Sequence, residues 1–138
     1  MILELLIIIF LLWIWSGGFN SSLYPNSRSE EILRQLERDL NILFEDSYRP
    51  RYRLFVSSER TFVTNKENIY LVLRHPELGY FFDHSTLLQV VIHEIAHILC
   101  PDTDHSESFH KIEDDLRQRA NRKGLLSLDF SPDPNYPC

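Results

Sequence analysis

The chain has 138 residues, with 14 Lys and Arg against 20 Asp and Glu, a formal net charge of −6 at pH 7, and 43% hydrophobic residues. That is one small domain: a repeat array, a polytopic channel or a large multi-layer enzyme is excluded on size, and the acidic balance disfavours nucleic acid as a partner. Two cysteines, Cys100 and Cys138, are too few for a disulfide scaffold or a four-cysteine zinc finger.

From Leu5 to Trp15 every residue is apolar, and the run Ile2 to Phe19 is broken only by Glu4, Ser16, Gly17 and Gly18. A bilayer-spanning helix takes about 20 such residues, and Trp13 and Trp15 near the end of the run suit a membrane interface. The composition predicts one transmembrane helix over residues 1–19, an anchor to the membrane. A cleaved signal peptide is the alternative, with Ser16 and Gly18 as small residues before the cut and no basic segment ahead of the apolar run. Arg28, Arg34 and Arg38 follow the run, so the positive-inside rule predicts a single-pass protein whose domain faces the cytosol.

Residues 20–29 are polar, contain Pro25, and have the composition of a linker; residues 30–138 form the domain proper. Ser29 is placed to cap a helix, and Ile32, Leu33, Leu36, Leu40, Leu43 and Phe44 recur at spacings of three and four, which predicts an amphipathic helix over 30–45. Tyr52 to Val56, Thr61 to Thr64 and Ile69 to Leu73 are short, aromatic and β-branched, and predict three strands. Pro76 and Gly79 interrupt the chain before Ser85 opens a second helix. From Leu87 to Leu99 that helix is apolar apart from Gln89, His93, Glu94 and His97, so it is central and buried. Pro101 ends it, a third helix occupies 106–123 before Gly124, and the tail from Ser131 to Cys138 holds three prolines that forbid regular structure.

Chemistry enters at His93-Glu94-Ile95-Ala96-His97, a His-Glu-x-x-His pattern. Four residues advance a helix by about 6 Å and about 40°, so both imidazoles project from one face at the separation a single zinc ion needs. Glu94 is turned about 100° from His93, beside the metal rather than on it, where a carboxylate accepts a proton from metal-bound water. The competing reading is a pair of hydrogen-bonded core histidines with a buried Glu. A catalytic site needs a third protein ligand. His105, beyond the break at Pro101, is free to turn back to the metal; His110 is the alternative, but its neighbour Phe109 belongs to a core-facing stripe with Ile112 and Leu116. Asp102 and Asp104 read as turn or capping residues, either of which can accept from an imidazole N–H.

His93-Glu-Ile-Ala-His97 followed by His105-Ser-Glu-Ser-Phe109 on the next helix resembles the WLM and SprT-like zinc metallopeptidases, over about residues 50–120. The resemblance implies zinc on His93, His97 and His105, Glu94 as catalytic base, and a small zincin-like α+β domain: an N-terminal helix, a three-stranded sheet, the His-Glu-x-x-His helix and a C-terminal helix, here preceded by the transmembrane helix. It also places an edge strand at Asn68 to Arg74; a peptide or protein substrate would add as a strand to the exposed sheet edge at Ile69 to Leu73. The gap between the second and third histidines is longer than the common WLM spacing. Extensions typical of DNA-repair members are absent, which supports peptidase chemistry over a role on DNA-protein crosslinks.

Other residues have plainer readings. Tyr48-Arg-Pro-Arg-Tyr-Arg53 interleaves basic and aromatic residues but reads as a solvated strand entry. Cys100 reads as a buried helix-end cysteine, with a Cys100 to Cys138 disulfide open only in an oxidising compartment. Tyr70 and Tyr136 are candidates to steady an oxyanion, and more often such residues pack. His75 and His84 read as exposed, and Glu113, Asp114 and Asp115 as the solvated face of the last helix. The rival class is a membrane-tethered interaction module that keeps a zinc-stabilised fold without turnover.

Overall fold

The computed structural model describes residues 2–15 and 27–137. Its elements run α1 (Ile2–Trp15), α2 (Ser27–Leu43), β1 (Arg53–Ser57), β2 (Phe62–Thr64), β3 (Asn68–Val72), α3 (His84–Leu99) and α4 (Glu107–Arg122). They fall into two units that meet between Glu31 and Ile32.

The first unit corrects the membrane assignment. Helix α1 is 14 residues long, which at 1.5 Å per residue is about 21 Å, well short of a hydrocarbon core of about 30 Å. Among the described residues no helix is long and apolar enough to cross a membrane. The single-pass localisation with a cytosol-facing domain is overturned on this finding, since the described helix is too short to span. Ser16 and Gly18, the residues of the proposed signal-peptide cut, lie outside the described residues. So do positions 20–26 of the expected linker, while Ser27, Arg28 and Ser29 already belong to α2.

The second unit is the expected α+β arrangement. In the sheet, β3 lies in the middle, parallel to β1 and antiparallel to β2, with Tyr70 opposite both Phe55 and Phe62. β2 and β3 are joined by residues 65–67, of which Asn65 and Lys66 stand at positive φ (54° and 51°), and Glu67 N donates to Thr64 O at 3.1 Å. With Glu67 these make a three-residue connection between the paired Thr64 and Asn68, a short hairpin loop built on residues at positive φ. Lys66, where such turns favour glycine, sends its Nζ to the carbonyl of Cys100 at 2.7 Å, tying the hairpin to the end of α3.

The core gathers the apolar stripe of α2 (Leu36, Leu40, Leu43), the inward side chains Ile69 and Leu71 of β3, and much of α3, where Leu87, Leu88, Val91, Ile92 and Ile95 are buried. Asp83 caps α3 by accepting from Thr86 N at 3.1 Å and Thr86 Oγ1 at 2.7 Å. Helix α4 packs on α3 through Phe109, Leu116 and Ala120, and ends where Gly124 takes φ +74°. There Leu125 N reaches Ala120 O (2.9 Å) and Gly124 N reaches Asn121 O (3.0 Å), a left-handed helix stop that a side chain would strain.

Candidate metal centre

Helix α3 buries its apolar face, which turns His93, Glu94 and His97 to the opposite side, half-buried. The chain breaks at Pro101 and restarts at Ser106, whose hydroxyl accepts from Phe109 N (3.2 Å) and donates to Asp102 Oδ2 (2.8 Å). Asp102 is thus a turn residue. That turn carries His105 back over α3. Phe109, fully buried one helical turn later, lies with its ring centroid 5.1 Å from His93, 4.3 Å from His97 and 5.0 Å from His105. One aromatic ring therefore forms the floor under all three imidazoles.

The ligand atoms of His93, His97 and His105 lie within 4.8 Å of one another. Nε2 of His97 and Nε2 of His105 face each other at 3.1 Å. Two nitrogens on one tetrahedral zinc, each about 2.0–2.1 Å from it, stand about 3.3 Å apart, so the spacing suits a shared ion. Burial and the neighbouring His93 and His105 hold His97 below the usual imidazole range, toward the neutral form a metal requires. His110 is exposed, its ring 6.4 Å from that of His105, and it is not part of the cluster.

Glu94 opens onto the same cavity, of about 670 Å³, as the three histidines. Burial pushes its carboxyl above the ordinary carboxylate value, with the His93 charge opposing. Glu113 of α4 accepts a hydrogen bond from Nδ1 of His93. That bond pulls Glu113 below its ordinary value and raises His93 against the effect of burial. The expected solvated face is corrected here: Asp114 turns to Gln118 (2.9 Å), but Glu113 is turned inward onto the cluster. Its position one turn beyond Phe109 and His110, on the side of Phe109 and Leu116, was the available signal.

Further expectations change. Because β3 is the central strand, its Asn68 to Arg74 segment offers no free edge, and β2 is the edge strand beside the site, with Val63 lining a cleft shared with Glu94 and His97. Tyr70 is stacked between Phe55 and Phe62, at 5.0 and 4.7 Å, and does not line the histidine cavity. Tyr136 does line it, but its hydroxyl is engaged by Val72 O (2.9 Å) and Thr61 Oγ1. Cys100 is a buried free thiol at the end of α3; Cys138 lies outside the described residues. His84 is half-buried against Asp39, and His75 Nδ1 accepts from Leu78 N at 2.9 Å. Within 48–53, Tyr52 is buried in the core with the Arg49 guanidinium over its ring.

Residues 61–128 match the WLM domain family model. The WLM match takes in β2, the three histidines, Glu94 and Glu113, and it supports the WLM side of the resemblance. Curated relatives include protein R325 of Acanthamoeba polyphaga mimivirus, 36% identical over 97 residues, covering 70% of this chain and 46% of that protein. Protein 042R of Invertebrate iridescent virus 3 is 35% identical over 82 residues (59% of this chain, 48% of that protein). Protein 136R of Invertebrate iridescent virus 6 is 34% identical over 68 residues (48% and 38%). The chain thus spans less than half the length of each. Among solved structures, the crystal structure of Wss1 from Saccharomyces cerevisiae superposes with a TM-score of 0.65 over 76% of this chain and 88% of that one, at 17% identity. At that identity the likeness is one of fold.

Proposed function

We propose that the chain is a zinc-dependent peptidase of the WLM type, with His93, His97 and His105 as metal ligands, Glu94 as general base, and a peptide or protein as substrate. The observation that carries this is the convergence of three imidazole ligand atoms within 4.8 Å, with Glu94 facing the same cavity. A structural zinc site would close its fourth position with Cys or His and would have no use for Glu94 there. Bound at three imidazoles, zinc supplies Lewis acidity and an acidified water.

The protein's own groups do the rest. Glu113 orients His93 through Nδ1, and Phe109 excludes water beneath the imidazoles. Glu94, with its carboxyl raised by burial, takes a proton from the attacking water and delivers it to the leaving amine nitrogen. An extended peptide adds to the edge of β2, which brings its backbone past Glu94 and His97.

Glu94→Gln tests the reading. Hydrolysis of a denatured protein substrate is expected to fall by at least about 100-fold while zinc content per chain, read by elemental mass spectrometry, stays at the parent level. Unchanged hydrolysis removes the assigned base. A zinc-loaded parent that hydrolyses nothing moves the chain to the class of non-catalytic interaction modules.

A further inference from the structure

The C-terminal segment was expected to lack regular structure, and its described residues form no helix or strand, yet it is built into the site. Tyr136 is buried, its hydroxyl donating to Val72 O at 2.9 Å and bonded to Thr61 Oγ1. Asp133 N donates to Thr86 Oγ1 at 3.1 Å, and Asp133 Oδ2 accepts from Tyr80 OH at 2.8 Å. These bonds reach β3, the approach to β2, the start of α3 and the loop before it. The segment is therefore a fixed wall, and Pro132, Asp133 and Pro134 face the cavity that holds the three histidines.

The chemistry of that wall is specific. Val90, Pro132 and Pro134 supply apolar lining, and no Lys or Arg is among the described lining residues. Three carboxylates line the cavity: Glu94, Glu113 and Asp133. Glu113 is committed to His93, and Glu94 to the proton transfer. Among the described residues the Asp133 carboxylate accepts from Asn135 N (2.9 Å) and Tyr80 OH, which leaves it roughly half of its four or so lone-pair sites. Arg117 of α4 is not among the lining residues; its guanidinium donates to Gln89, which is, at 2.8 Å once the amide oxygen is turned toward it.

Apolar walls with a partly used carboxylate fit a long side chain that has an aliphatic stem and a cationic head. We propose that Asp133, carried on this C-terminal wall, is a specificity determinant that selects a Lys or Arg side chain of the substrate peptide. The proposal rests on the peptidase reading for its substrate class. It assigns a role to a segment that lies beyond the matched residues 61–128.

The experiment uses the full zinc-loaded chain and pooled, internally quenched peptides. Each peptide is built from uncharged residues around a single fixed Lys, norleucine or Glu. The Lys pool is expected to exceed the norleucine pool in kcat/KM by about tenfold, and Asp133→Asn to bring that ratio close to one. Asp133→Lys should favour the Glu pool. Asn retains the shape and an acceptor for Tyr80, and the ratio, unlike the absolute rate, is not moved by a loss of folded protein. Equal rates for Lys and norleucine in the parent, or a Lys preference that survives Asp133→Asn, overturn the proposal.

If the parent hydrolyses no pool, the same peptides are measured for binding by fluorescence anisotropy, on the parent and on Asp133→Asn. Tighter Lys binding that depends on Asp133 sustains the subsite and sinks only the peptidase reading. Equal binding of Lys and norleucine peptides overturns the subsite itself.

Discussion

The Nδ1–H of His93 is donated to Oε2 of Glu113, 20 residues further along the chain on the neighbouring helix. A metal-binding imidazole with one nitrogen held by a carboxylate has its tautomer and ring orientation decided, leaving the other nitrogen for the ion. Helix α4 thus contributes to the centre without contributing a ligand there.

Glu113→Gln is accordingly expected to weaken metal affinity about 10- to 100-fold, as measured by competition with a chromogenic chelator. Asp114→Asn, which alters the adjacent residue bonded to Gln118 instead, should leave affinity unchanged. Equal affinities for the parent and Glu113→Gln would show that the carboxylate is a packing partner of His93 and nothing more.

For the proposed third ligand the geometry favours His105 over His110. His97 and His105 present Nε2 atoms 3.1 Å apart, whereas His110 is exposed, with its ring 6.4 Å from that of His105 and outside the cluster. On this basis His105→Ala loses most of its zinc after dialysis against a mild chelator, and His110→Ala keeps the parent's content. Zinc loss in His110→Ala alone would exchange the two roles.

Much of this was legible beforehand, for identifiable reasons. The stripe Leu36, Leu40, Leu43 has a helical period, and the caps Asp83 and Ser106 are residue types that compete for helix starts, so three helices lie within a few residues of expectation. The pairing of His93 with His97 followed from spacing, because four residues on a helix place both on one face whatever surrounds them, whereas His105 was expected from the break at Pro101 and the family resemblance. Strand order did not follow: short apolar runs say that strands exist and not which one is central, and the edge was assigned to Ile69 to Leu73 instead of β2. Glu113 was missed because a carboxylate between Ile112 and Asp114 looks like solvated surface until the packing of α4 on α3 is known. The apolar N-terminal run misled in the opposite direction, since composition measures hydrophobicity and not the length of the helix that carries it.

Tyr136 binds two polar groups that would otherwise lack this partner beside the site, Val72 O and Thr61 Oγ1. Tyr136→Phe keeps the ring and its contact with Phe82, at 4.7 Å, while removing both bonds. The cost expected for leaving a buried carbonyl short of a donor is about 1–3 kcal/mol, a drop of several degrees in Tm by scanning calorimetry. A Tm equal to the parent's would mean that solvent or the neighbouring hydroxyl replaces the lost donor.

Tyr52 presents the reverse case, a hydroxyl in the core with no hydrogen-bond partner among the described residues. Burial, helped by the Glu37 charge and opposed by the nearby Arg49 guanidinium, pushes its phenol well above the ordinary value of 10.0. Above about pH 10 the unfolded chain ionises this group while the folded protein keeps it neutral, so the unfolded state binds fewer protons and stability falls as pH rises toward the folded value. Tyr52→Phe removes that dependence and gives up no hydrogen bond, so at neutral pH the variant is as stable as the parent or more stable. Urea midpoints for both proteins at about pH 8 and about pH 10.5 provide the comparison. The parent should lose more of its midpoint than the variant, and equal losses would mean that Tyr52 reaches solvent or a partner in the folded state.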